Sequence, residues 1–140
     1  AGAEAMYRRA LAAEPRHAAT LYNYAALQEA RQNYSAAAAL YAKVLEVEPG
    51  HVTALCNYGG LLHTVSRDYD GAEALYKRAL AQDPACVAAL CNYGLLLQTV
   101  RPRLPEAQAL YRRALQADPV HVPTLCNMAY LCASVADLAQ

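Results

Sequence analysis

One dipeptide returns along the chain at a fixed interval: Glu14-Pro15, Glu48-Pro49, Asp83-Pro84 and Asp118-Pro119, at spacings of 34, 35 and 35 residues. Asn23, Asn57, Asn92 and Asn127 keep the same rhythm. So do Tyr7, Tyr41, Tyr76 and Tyr111. Three series with one period restrict the fold to a stack of similar units, each of which buries its apolar face only against its neighbours.

Each period holds two helical patterns. In the first, Leu55, Tyr58, Gly59 and Leu62 fall at i, i+3, i+4 and i+7, one helical face. In the second, Ala72, Leu75, Tyr76, Ala79 and Leu80 form another stripe. Glu73 with Lys77 and Glu4 with Arg8 stand four apart, in the favourable order for an outward-facing helix pair. The acidic residue before each Pro is pushed out of the α region and stops each second helix. Asp70 with Glu73 reads as a capping box, Ser35 as the cap one repeat earlier, and Pro105 as a first-turn proline. His17, His51 and His121 precede first helices and suit turn or capping roles. The periods differ in the turn inside each pair. Gln32-Asn33-Tyr34 is the short version, and Ser66-Arg67-Asp68-Tyr69 and Arg101-Pro102-Arg103-Leu104 carry one more residue. An extra residue in an exposed turn costs little.

These patterns divide the chain into a single array: a half-repeat over 1–15 with a second helix only, repeats over 16–49, 50–84 and 85–119, and a half-repeat over 120–140 with a first helix only. Neither half-repeat carries the polar cap that an isolated solenoid needs. The expectation is a fragment of a longer chain, or head-to-tail self-association in which each half-repeat supplies the other's missing partner.

Composition narrows the function. Twelve Lys and Arg balance twelve Asp and Glu. The basic excess that phosphate neutralisation requires of a nucleic-acid binder is absent. The first residues lack the basic start and apolar run of a signal peptide, and no stretch reaches the ~20 apolar residues of a membrane span. The five Cys are Cys56, Cys86, Cys91, Cys126 and Cys132, an odd number without a CxxC pair. That usage suits a reducing intracellular compartment, most simply the cytoplasm. Neither a Ser–His–acid set, nor a phosphate loop, nor a facing carboxylate pair emerges, so the chain reads as a non-enzyme without metal or cofactor.

Leu-x-x-Tyr-Gly, then Ala-x-x-Leu-Tyr-x-x-Ala-Leu, then Asp-Pro, in tandem, resembles the tetratricopeptide repeat, a helix–turn–helix unit. The resemblance spans nearly the whole chain. Small residues stand where that family has them: Ala25, Gly59, Gly94 and Ala129 in first helices, Ala37, Ala72 and Ala107 in second helices. Leu21, Leu55, Leu90 and Leu125 replace the family's frequent Trp, and Gln28, Leu62, Leu97 and Cys132 its late Tyr. The resemblance implies an all-α, right-handed superhelical solenoid of antiparallel helix pairs, about eight helices in all. It also implies a scaffold whose first helices line a concave, peptide-binding groove. Pentatricopeptide RNA readers share the 35-residue pair, but their usual ending is missing here and the chain is neutral, so RNA binding is the weaker alternative. A substrate-recruiting region of a larger enzyme, such as an O-linked N-acetylglucosamine transferase-like glycosyltransferase, is the other.

Within that groove, Asn23, Asn57, Asn92 and Asn127 are the expected peptide contacts. A carboxamide offers both an acceptor and donors to an extended backbone. Repeats stack roughly 10 Å apart and a strand rises ~3.3 Å per residue, so one Asn meets about every third peptide residue. Beside this ladder run Tyr22, Cys56, Cys91 and Cys126 as groove lining, with His63 and Gln98 further along the same helices. Equivalent cysteines a whole repeat apart are too distant for a disulfide, which needs Cα atoms within roughly 7 Å. Chaperone-tail binders of the family carry a Lys/Arg carboxylate clamp in the groove. Tyr22, Ala26, Asn57, Ala88 and Asn92 occupy that region here, and the clamp is missing. Arg8, Arg9, Lys77, Arg78, Arg112 and Arg113 fall on second helices, where they read as a solvated rim.

Overall fold

The computed structural model describes residues 2–139; Ala1 and Gln140, the outermost residues of the two half-repeats, lie outside the described residues. Eight α-helices and no strand form among the described residues: α1 (Gly2–Ala13), α2 (Ala18–Ala30), α3 (Tyr34–Val47), α4 (Val52–Leu61), α5 (Tyr69–Gln82), α6 (Val87–Thr99), α7 (Leu104–Ala117) and α8 (Val122–Leu138). They stack as antiparallel pairs, α2 with α3, α4 with α5 and α6 with α7, into an all-α solenoid. A helix of the first type, α8, follows the last pair, and one of the second type, α1, precedes the first.

The punctuation works as its chemistry requires. Glu48, Asp83 and Asp118 leave the helical region, with φ between −128° and −140°, and end α3, α5 and α7. The next first helix opens within four residues. His17, His51 and His121 cap α2, α4 and α8, each accepting a backbone N–H at Nδ1, from Thr20, Ala54 and Thr124. Cys86 holds the equivalent place before α6 without a side-chain cap. Arg78 and Arg113 are not merely a solvated rim. Each donates to the carbonyl of the proline one repeat back, Pro49 at 3.1 Å and Pro84 at 2.9 Å.

Two cap expectations are corrected. The cap of α5 is Asp68, which accepts the N–H of Gly71 at 3.0 Å. Asp70 lies inside the first turn, where it pairs with Arg101. Before α3 the cap position is Asn33, which makes no side-chain bond, and Ser35 lies within the helix. Glu73 also does not face outward. It is largely covered, and it accepts from the Tyr93 hydroxyl at 2.8 Å and from Arg103 at 2.6 Å, besides pairing with Lys77 at 3.4 Å. Glu4 repeats this two periods earlier with Tyr24 at 2.8 Å and Arg8 at 2.7 Å.

The extra residue of the longer repeats is absorbed in two ways. In the short repeat the N–H of Asn33 closes on the carbonyl of Gln28. In the longer ones the closure reaches one residue further, Asp68 to Leu62 and Arg103 to Leu97. After α4 the added residue widens the helix itself into a π turn over Leu62–Ser66. After α6 it sits in the open turn. Gln32 and Arg67 take the left-handed backbone conformation at these corners, with φ of 61° and 53°.

The core is a column of Tyr rings on small residues. Tyr41, Tyr76 and Tyr111 are fully buried, as are Ala37, Ala72 and Ala107. A Cβ on Gly59 would lie 2.8 Å from the ring of Tyr76, and one on Gly94 2.5 Å from the ring of Tyr111. At these two positions α4 and α6 therefore approach α5 and α7 closer than a methyl group allows. Leu21, Leu55 and Leu90 fill the layers where the family's Trp is common. Leu125, their counterpart on α8, is 44% exposed, and Val122, Tyr130 and Leu138 are exposed along the same helix.

Candidate functional site

The candidate surface is the open face of the first helices, where the ladder asparagines stand. Its helices supply no Lys or Arg, since α2, α4, α6 and α8 contain none. The four Asn do not share one environment.

Asn57 is half-buried and its Nδ2 donates twice, to the hydroxyl of Tyr22 at 3.2 Å and to that of Tyr41 at 3.4 Å. Tyr41 in turn donates to the carboxylate of Glu29 at 2.6 Å, which leaves its oxygen free to accept. Burial first, and the Glu29 carboxylate second, push the Tyr41 phenol well above its ordinary range, so it remains a donor. Tyr22 lies stacked on His51, with ring centroids 5.1 Å apart. Both N–H groups of Asn57 are thus spent inside the protein, and its Oδ1 is the group left for a partner.

Asn127 donates to the sulfur of Cys91 at 3.6 Å. Cys91 stands one repeat behind it, just before Asn92, as Tyr22 stands just before Asn23. The two contacts are the same inter-repeat link made with different acceptors. By that rule Asn92 would reach Cys56, but the sulfur of Cys56 lies against that of Cys86 at 3.7 Å. Asn92 and Asn23 have no intramolecular side-chain bond among the described residues; Asn23 is exposed and Asn92 half-buried.

The remaining candidates divide similarly. Cys56 and Cys91 are buried, and Cys126 is exposed on α8. Gln98 accepts the Tyr111 hydroxyl at 2.7 Å, the contact that Glu29 makes with Tyr41 two repeats earlier. His63 holds the same register in the middle repeat, but the π turn carries it away. Its ring packs edge-on against Tyr69, with centroids 6.1 Å apart. Burial lowers its pKa, favouring the neutral ring. The hydroxyl of Tyr76 is left buried with no hydrogen-bond partner. No three His, Cys, Asp or Glu side chains gather into a metal-binding group among the described residues, and none of the described helices is long and apolar enough to cross a membrane.

Sequence reasoning missed the Cys56–Cys86 contact. Equivalent cysteines stand a whole repeat apart, whereas Cys86 occupies the cap series of His17, His51 and His121. The signal was there: Cys86 stands 35 residues before His121 and 35 after His51.

Comparison with known proteins agrees with this architecture. A family model described as a tetratricopeptide repeat matches residues 1–52 and 59–121. No curated protein matches the chain in sequence. Among solved structures, the first tetratricopeptide repeat domain of Spaghetti (RPAP3), bound to the HSP90 peptide SRMEEVD, superposes with a TM-score of 0.79 at 18% identity, covering 85% of this chain and 93% of that one. The Arabidopsis OM64 domain gives 0.75 at 18% identity, covering 81% and 93%. PilF of Pseudomonas aeruginosa gives 0.83 at 21% identity, covering 94% and 59%.

Proposed function

The chain belongs to the tetratricopeptide repeat family, and from that premise we propose that it is a protein-interaction scaffold whose first helices hold an uncharged, extended peptide segment. One observation carries this reading: Asn23 and Asn92 keep their carboxamides unengaged on a face whose helices supply no Lys or Arg. A free carboxamide can donate to a peptide C=O and accept from its N–H. Asn57 adds an acceptor only. Such a face grips main chain without selecting charge. The Spaghetti domain was solved with an acidic peptide. The first helices here offer no cation to match one, so a neutral segment is the fitting ligand.

The test is binding of a library of neutral extended peptides to the wild type and to an Asn23→Ala/Asn92→Ala variant, with SRMEEVD as a contrast. Expected are hits that weaken severalfold in the variant at unchanged helicity, and no measurable affinity for SRMEEVD. Undiminished binding by the variant would remove the ladder from the reading. Tight capture of SRMEEVD would replace the neutral ligand with an acidic one.

A second reading concerns copies of this chain. Tyr76 and Tyr111 rest on Gly59 and Gly94. Ala129 is the matching small residue of α8 and is exposed, and Tyr7 is the matching ring of α1 and is only half-buried. The α1 of a second copy laid on α8 would repeat the Tyr-on-small contact and cover Leu125 and Tyr130. Light scattering over a dilution series checks this: a mass that stays at 15.1 kDa at high concentration sinks it.

A further inference from the structure

Consecutive repeats meet at one recurring point, where the residue before a ladder Asn faces the cap residue of the next first helix. In the first such layer Tyr22 stacks on His51. In the second, two thiols replace the two rings, and the sulfurs of Cys56 and Cys86 lie 3.7 Å apart. They belong to different repeats, 30 residues apart in sequence. We propose that Cys56 and Cys86 form a dithiol modification site for small-molecule disulfides, closing into an intrachain disulfide that staples the second repeat to the third.

The two thiols differ in the way the chemistry needs. Cys86 is half-buried in the turn that opens α6, within reach of a small reagent. Cys56 is 4% exposed, and burial together with the neighbouring Cys86 pushes its thiol up to about 12. Cys86 is therefore the attacking sulfur and Cys56 the resolving one. The Cys86 thiolate attacks one sulfur of the disulfide RSSR, forms Cys86–S–S–R and releases one RS⁻. The sulfur of Cys56, already in contact, attacks Cys86 Sγ. Its proton passes to the second departing RS⁻. Two protein thiols are oxidised by two electrons, and RSSR is reduced to two RSH. The sulfurs are already juxtaposed at 3.7 Å, and closure shortens that separation to the ~2.05 Å of a disulfide.

The closed bond encloses the end of α4, the π turn and α5. It would restrict the unfolded chain and fix the second repeat against the third beside Asn57 and Asn92.

The exposed thiols Cys126 and Cys132 are first replaced by Ser, and the protein is incubated with oxidised glutathione, quenched in acid and examined by intact mass and peptide mapping. Expected are a mass lowered by two hydrogens, a Cys56–Cys86 cross-linked peptide and a thermal midpoint raised by several degrees, all reversed by dithiothreitol. In a Cys56→Ala variant, Cys86 should stop at a glutathionyl adduct. A Cys86→Ser variant should lose both products while folding normally, since Ser is a favoured cap. Accumulation of the glutathionyl adduct on the intact pair, an unreactive Cys86, or a cross-link to Cys91 would each overturn the proposal.

Discussion

Tyr41 donates a hydrogen bond from its hydroxyl to the Glu29 carboxylate at 2.6 Å, linking the second helix of a repeat to the first. The contact recurs between Tyr111 and Gln98 at 2.7 Å and fails between Tyr76 and His63, where the π turn intervenes. A satisfied buried hydroxyl contributes about 1 kcal/mol, and an unsatisfied one costs desolvation without return. Tyr111→Phe should therefore destabilise by about 1 kcal/mol, whereas Tyr76→Phe should be neutral or stabilising. Urea unfolding midpoints compare them directly, and equal losses would show that the two hydroxyls are equivalent in solution.

The neighbours Gly59 and Gly60 should respond to alanine with opposite signs. A Cβ at Gly59 meets the Tyr76 ring at 2.8 Å, and one at Gly60 meets nothing within 4 Å. Both lie in α4, where alanine is favoured over glycine by about 0.5–1 kcal/mol. Gly60→Ala should gain that amount. Gly59→Ala must push a buried ring, and overpacking of this kind costs about 1–3 kcal/mol, more than the helix gain. Thermal midpoints moving in the same direction would contradict the close packing.

Glu73 makes folding sensitive to acid. Desolvation raises its pKa, but Arg103, Tyr93 and Lys77 outweigh that and hold it at about 2. Its folded value lies below the unfolded value of about 4.3. Stability from this group is therefore complete above about pH 4.3 and is lost as pH falls towards about 2. Glu73→Gln should flatten the stability curve between about pH 5 and 2 while lowering stability at neutral pH. Glu4, lowered by its bond from Tyr24 and by nearby arginines, acts in the same direction and preserves part of the slope. A variant with the full wild-type acid slope would discount Glu73.

What was legible in the sequence was whatever obeys the period. The Tyr column, the small residues beneath it, the acidic stop before each proline and the histidine caps are spacing and local chemistry, and the structure places them accordingly. What was not legible comes from departures by one residue. The extra residue after α4 became a π turn inside a helix, and that choice turned His63 away from Tyr76. Glu73 read as an outer residue because Lys77 lies four positions on, yet its stronger partners, Tyr93 and Arg103, come from the next repeat. Cys56 and Cys86 belong to two different periodic series, so comparison within either series misses them.

The ladder itself separates on the same grounds. Asn57 donates to Tyr22 and Tyr41, and Asn127 to Cys91, whereas Asn23 and Asn92 donate to no side chain among the described residues. Asn57→Ala should lose about 1 kcal/mol of stability, since it removes the donor shared by two repeats. Asn92→Ala should stay within about 0.5 kcal/mol of wild type, as substitutions free of such links do. Urea denaturation of the two single variants checks this. If Asn92→Ala is as damaging as Asn57→Ala, Asn92 is also a structural tie, and the free face of the ladder contracts to Asn23 and the Oδ1 of Asn57. If Asn57→Ala is harmless, its two weak donations are incidental, and the whole carboxamide is available to a bound peptide.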